Sequence, residues 1–195
     1  MVQAESQTAG RGRKNRSWES PPGNLYFSLC TYKEDLLPLK ASIAVAKTLE
    51  DMNIEPRLKW PNDVLVEKKK ICGILTEVVE DKGIVGIGLN VEEAPIEDSL
   101  SISDLVDEKP SLDSIMKEII RNFYGIDEVM KTYRDYCSTI GKKVKMKTIS
   151  GETEGIVEDI DERGRIVLDN GERFVSGDVI HVEKGVDKSG FNGFH

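Results

Sequence analysis

The residues best suited to chemistry lie in four short segments of the N-terminal half. Gln7-Thr-Ala-Gly-Arg-Gly-Arg13 runs on through Lys14 and Arg16 to Trp18. Gly10 and Gly12 allow close approach of a ligand and positive φ, and successive backbone N–H groups in such a loop can cradle an anion. Arg11 and Arg13 add planar, permanently charged donors for carboxylate or phosphate. In Lys59-Trp-Pro-Asn-Asp63 the proline fixes the local backbone. Asn62 offers the paired donor and acceptor that adenine requires, and Asp63 is suited to holding a metal ion or fixing a neighbouring lysine. Lys68-Lys-Lys-Ile-Cys-Gly-Ile-Leu75 runs a charged turn into an apolar strand, and a lysine there can neutralise phosphate charge in a cleft. Gly86-Ile-Gly-Leu-Asn90 leaves one strand face smooth, so that a flat ring or ligand tail can lie on it. Each segment also has a bland reading: a basic solvated loop, a common Pro-Asn-Asp turn, a solvated lysine run, or an isolated GxG without a dinucleotide fingerprint.

Composition narrows the chemistry. His181 and His195 are the only histidines of the 195 residues, so histidine-based catalysis has little to work with. Cys30, Cys72 and Cys137 are widely spaced, which argues against a zinc site or a disulfide framework. The net charge of −8 argues against a general nucleic-acid binder. No apolar run approaches the roughly 18 residues of a membrane span, and the N-terminus has no signal-peptide core. A cytoplasmic protein that contacts neither membrane nor nucleic acid is expected. The chemistry left is positioning and charge stabilisation by lysine and arginine.

Several elements must hold these segments. Asn24–Cys30 alternates, with Leu25, Phe27 and Leu29 on one face, as a half-buried strand does. Leu39, Ile43, Ala46, Leu49 and Met52 follow a helical period that Pro56 is expected to stop. Ile71–Val79 and Ile84–Val91 read as strands joined by a turn at Asp81-Lys82-Gly83. Residues 92–111 read as an acidic connection with a short helix. A second helical pattern runs from Leu112 to about Cys137, interrupted at Gly125. Beyond Gly141, short strands at Val144–Lys147, Thr153–Asp159, Arg165–Asp169, Glu172–Val175 and Val179–Val182 are separated by turns such as Ser150-Gly151 and Asn170-Gly171. They suggest a small closed barrel. The expected division is 1–138, 139–186 and a tail at 187–195.

The order and spacing of the four segments resemble the biotin protein ligase family over roughly residues 3–185. The glycine–arginine loop stands at Gln7–Arg13 and the Lys-Trp-Pro-Asn-Asp motif at 59–63. Lys70 falls seven residues after Asp63, where that family has its essential lysine, and the Gly-Ile-Gly-Leu-Asn90 strand follows. The resemblance implies an α/β (α+β) fold: a class II synthetase-like mixed sheet flanked by helices, with a small C-terminal SH3-like β-barrel. It implies a two-step ligase. Biotin and ATP, with Mg²⁺, give biotinyl-5′-AMP, and a lysine of a biotin carrier domain of a carboxylase or decarboxylase then takes the biotinyl group.

Carried over residue by residue, the resemblance makes Lys70 and Arg13 catalytic. It assigns Gln7, Arg11, Gly12, Arg13, Lys70, Gly73 and Leu75 to biotin, and Trp18, Asn62, Asp63 and Asn90 to the nucleotide. Mg²⁺ is expected on the phosphates, with Asp63 as the nearby carboxylate. A homodimer through a sheet edge is compatible with the family. Its members normally carry a strand, a helix and a Ser-Thr-Asn motif before the glycine–arginine loop. That motif is not present in these residues, nor is a DNA-binding helix-turn-helix, so no repressor role is expected. The alternatives are an impaired biotin- or adenylate-binding module and a lipoate-type acyl ligase; the pairing of Gly-Arg-Gly-Arg with Lys-Trp-Pro-Asn-Asp is the biotin type.

Overall fold

Eleven strands and three α-helices build two antiparallel sheets in a computed structural model that describes residues 1–148 and 151–182. The expected tail at 187–195 and Ser150 of the Ser150-Gly151 turn lie outside the described residues. The first sheet contains β1 (Val2–Ala4), β2 (Leu25–Tyr32), β3 (Arg57–Lys59), β4 (Asp63–Val66), β5 (Lys69–Val79) and β6 (Lys82–Leu89), in the order β1-β2-β6-β5-β4-β3. One face of this sheet packs on α1 (Leu37–Glu50), and α2 (Leu112–Tyr124) and α3 (Val129–Tyr136) cover the helix from outside. Because α1 lies between two layers, it is buried nearly all round, from Leu37 and Leu39 through Ile43 and Val45 to Leu49. Ser42 and Thr48 survive there because their hydroxyls donate to the carbonyls of Leu39 and Ala44.

Three local expectations change. Pro56 does not stop α1. The helix closes earlier, with Asn53 left-handed at φ 60°, its N–H donating to Glu50 O and that of Ile54 to Leu49 O. This is a Schellman cap with asparagine where glycine is usual, sealed by buried Ile54. The β5–β6 turn sits one residue earlier than the Asp81-Lys82-Gly83 reading, because Val79 pairs with Lys82 and Glu80 takes the positive φ. Gly83 lies within β6, where a Cβ would come 2.2 Å from Leu37 Cδ1. The short strands β3 and β4 were not expected at all. The break near Gly125 is present: that residue caps α2, and α3 begins four residues later at Val129.

The second sheet is β7 (Lys143–Thr148), β8 (Gly151–Ile160), β9 (Ile166–Leu168), β10 (Arg173–Phe174) and β11 (Asp178–His181), in the order β10-β9-β8-β7-β11. A bulge between Val157 and Asp159 bends β8, and the buried Val144, Met146, Val157, Ile160, Ile166 and Leu168 extend the hydrophobic core of the first sheet and its helices into the second. The second sheet is tied to α3 by Arg134, whose guanidinium donates to Asp159, Glu162 and the carbonyl of Ile160. Trp60, 1% exposed, is the second tie. Its backbone N–H donates to Thr139 Oγ1 at 3.1 Å and its indole N–H to Gly164 O at 2.9 Å.

Candidate active site

Residues 10–18 form a closed hairpin rather than an open cradle. Gly12 N–H donates to Arg16 O, Arg16 N–H to Arg13 O and Trp18 N–H to Gly10 O. Lys14 and Asn15 sit at φ 54° and 60°, the pair of left-handed residues that a type I′ turn needs. The expectation that Gly10 and Gly12 would supply positive φ is therefore corrected: neither does. Gly10 is required for space, since a Cβ would meet Trp18 O at 2.3 Å. With three N–H groups used inside the hairpin, its attraction for an anion rests largely on side chains.

The Lys-Trp-Pro-Asn-Asp motif is the tip of the β3–β4 hairpin, Lys59 pairing with Asp63. Buried Trp60 anchors that tip against the second sheet, so Asn62 and Asp63 turn toward the cavity. Asn62 uses both ends of its amide within the protein. Nδ2 donates to Ile74 O at 2.7 Å, and Oδ1 accepts from Arg13 Nη1 at 3.1 Å. In this arrangement it orients an arginine rather than presenting an uncommitted edge to adenine. Asp63 takes the second of the two roles read from its position: its Oδ1 lies 2.6 Å from Lys70 Nζ.

Lys70 reaches that position because of a register shift. β4 and β5 pair Val64 with Cys72 but Leu65 with Lys70, which leaves Ile71 as an extra residue. The bulge reverses the alternation, so Ile71 and Cys72 are both buried and Lys70 joins the face of Gly73 and Leu75. Above that face lies Trp18. Gly73 and Gly88 are cross-strand partners, and a Cβ on either would come 2.8 or 2.6 Å from the indole. The smooth strand surface read from Gly86-Ile-Gly is thus covered, at Gly88, by a ring of the chain itself. Lys70 Nζ stands 5.1 Å from the indole centroid, within cation–π range, and Trp18 Nε1 is buried without a hydrogen-bond partner among the described residues.

Two cavities meet at Lys70 and Trp18. The larger, about 600 Å³, is lined by Gln7, Arg11, Gly12, Arg13, Asn62, Asp63, Gly73 and Leu75. The smaller, about 220 Å³, is lined by Asn90 and by Pro95, Ile96, Asp98 and Ser99. All eleven residues singled out in the sequence therefore border one cavity or the other. Missed were Lys147, Gly177, Asp178 and Ile180 of the second sheet, which close the far wall of the larger cavity. Asp178 pairs with Arg16 at 2.5 Å and Lys14 at 3.3 Å, and Arg11 pairs with Glu77 at 3.2 Å. Arg13 differs: among the described residues it donates only to neutral oxygens, of Asn62 and Gly177. Burial pushes its pKa below the ordinary arginine value, opposed by Asp178 and Asp63. A desolvated guanidinium facing a cavity is a site prepared for an anion.

The first 91 residues match the model of the biotin/lipoate A/B protein ligase family, and residues 139–182 match that of the biotin protein ligase C-terminal domain. A biotin–[acetyl-CoA-carboxylase] ligase of Mycobacterium tuberculosis is 34% identical over 92% of this chain and 77% of its own length. The chain belongs to the biotin protein ligase family. The bifunctional ligase/repressor BirA of Bacillus subtilis is 31% identical over 88% of the chain, which spans 62% of that relative. Among solved structures, the Aquifex aeolicus biotin protein ligase in complex with biotin and ATP superposes with a TM-score of 0.82 at 27% identity, covering 92% of this chain and 88% of that one. The family assignment accounts for the order of the segments, and the two-sheet architecture agrees with it.

Proposed function

We infer that this chain is an ATP-dependent biotin protein ligase that forms biotinyl-5′-AMP and transfers biotin to a lysine of a carrier domain. The observation that carries the reading is the pair of cavities meeting at Lys70, with Arg13 on the wall of the larger one and without a carboxylate partner among the described residues. Such an arrangement suits two substrates whose reacting ends are both anionic. Biotin's carboxylate oxygen attacks the α-phosphorus of ATP, the new O–P bond forms, and the bond to pyrophosphate breaks. No protein nucleophile is required. Lys70 and Arg13 act by neutralising charge that builds on the phosphorus oxygens, and the hairpin holds the reacting ends together. Gln7, Arg11, Gly12, Gly73 and Leu75 belong to the biotin side. Trp18, Asp63 and Asn90 belong to the nucleotide side, with Asn62 orienting Arg13.

Mg²⁺ fits this donor set as an ion carried on the ATP phosphates, which is its usual habit with one or two carboxylates. Asp63 would be the carboxylate nearest it, and the ion would supply further neutralisation of phosphate charge. In the second step the carrier lysine's amine attacks the anhydride carbonyl and AMP leaves. We assign adenylate chemistry to residues 1–138 and the closing wall to residues 139–182. The partner would be a biotin carrier domain of a carboxylase or decarboxylase, met in the cytoplasm. Biotin-dependent exchange of labelled pyrophosphate into ATP tests the first step: label in ATP only when biotin is present supports it, and biotin-independent or absent exchange counts against it.

A further inference from the structure

The wall of the smaller cavity runs through residues 92–98, which form neither helix nor strand, so its position depends on what ties down its ends. One end is tied to Lys70, whose N–H donates to Asp98 O at 3.2 Å and whose carbonyl accepts from Leu100 N–H at 2.9 Å. The other is tied to Asn24. Its Oδ1 accepts from the N–H groups of Val91, Glu92 and Glu93 at 2.7, 2.9 and 3.3 Å. Its Nδ2 donates to Glu93 O at 2.9 Å. Asn24 is 1% exposed and stands directly before β2. Gly23 presses on the same turn: at φ +94°, a Cβ there would come 2.6 Å from Glu92 Cγ.

We propose that Asn24 is a positioning residue for the nucleotide, fixing the turn that follows Asn90 and so the wall of the smaller cavity. The inference rests on the reading of that cavity as the nucleotide side. Asn24 itself borders neither cavity; it acts through the backbone of residues 91–93. The chemistry selects asparagine. An aliphatic side chain would leave the buried Val91 N–H, the part-buried N–H groups of Glu92 and Glu93 and the Glu93 carbonyl without this partner. Aspartate keeps the acceptor for the three N–H groups but sets a carboxylate oxygen against Glu93 O. A clamp on one cavity predicts a one-sided kinetic effect, whereas loosening the whole sheet would weaken both substrates.

The test is steady-state pyrophosphate exchange by the full chain, with KM for ATP and for biotin measured separately and folding checked by thermal melting. Asn24→Ala should raise the KM for ATP about tenfold, with the KM for biotin and the kcat at saturating ATP within about twofold of the parent. Asn24→Asp should fall between the two, because the three N–H bonds persist. If the alanine variant does not fold, the aspartate variant makes the same comparison alone. A rise confined to the KM for ATP supports the proposal. Equal rises for both substrates, or no rise, overturn it while leaving the ligase reading intact. Absence of biotin-dependent exchange in the parent removes that reading and this inference together.

Discussion

Lys70 Nζ lies 2.6 Å from Asp63 Oδ1, and a one-residue bulge between β4 and β5 is what brings the two together. Without the extra residue, Lys70 would share a face with Cys72 and point into the core. The pairing gives the ammonium one fixed direction before any ligand arrives, at the junction of the two cavities.

That pairing makes a double-mutant cycle informative. Lys70→Ala is expected to lower kcat for biotin-dependent exchange by at least about a hundredfold, the usual scale for losing a charge-stabilising donor. Asp63→Asn is expected to cost less, since the lysine remains. Combined, the two should do less damage than the sum of the single losses, because part of Asp63's effect runs through the same ammonium. Additive losses would assign Asp63 a separate task.

The indole of Trp18 rests on the bare backbone of Gly73 and Gly88. Gly88→Ala places a methyl 2.6 Å from ring atoms and must displace the ring. The expected result is weaker binding of ATP by isothermal titration, with a shift in tryptophan emission. Unchanged affinity would mean that the ring's seat does not matter to the ligand.

Trp60 links the motif to the second sheet through its indole N–H and Gly164 O. Trp60→Phe preserves most of the packing but leaves that carbonyl short of a donor, at a cost of about 1–3 kcal/mol. Urea unfolding should report this as a lower midpoint at an unchanged slope.

His181 on β11 has its Nε2 buried without a hydrogen-bond partner among the described residues. Burial, then the nearby charges of Lys59 and Lys142, lowers its pKa from 6.5. Between the lowered folded value and 6.5 the unfolded chain binds more protons, so stability rises with pH there and falls on acidification. His181→Gln should flatten the thermal melting temperature between about pH 6.5 and 5 relative to the parent. Identical profiles would show that the imidazole stays neutral without cost.

Much of this site could be read from the sequence because its residues are local: the glycine–arginine hairpin, the Lys-Trp-Pro-Asn-Asp tip and the lysine strand each lie within a few residues of chain. The long helix and the strands beyond residue 141 declared themselves by period and turn residues. What could not be read depends on register and distance. Three consecutive lysines give no sign of which one enters the cavity; the bulge decides it, and only the family resemblance singled out Lys70. Asp178 meets Arg16 across 162 residues of chain, with no local signal. The left-handed turn falls on Lys14 and Asn15, where no glycine marks it, while Gly10 serves clearance from Trp18 O. β3 and β4 are too short to show a period, and a Schellman cap ended α1 before Pro56 could.

The proposed function has this chain move biotin through an adenylate to a carrier lysine. Intact mass spectrometry of a biotin carrier domain, incubated with the chain, biotin and MgATP, tests it most directly. The expected result is a mass increase of one biotinyl group, abolished by omitting ATP and strongly reduced by Lys70→Ala. A carrier domain that stays unmodified with the parent chain, or is modified equally well without ATP, would contradict it.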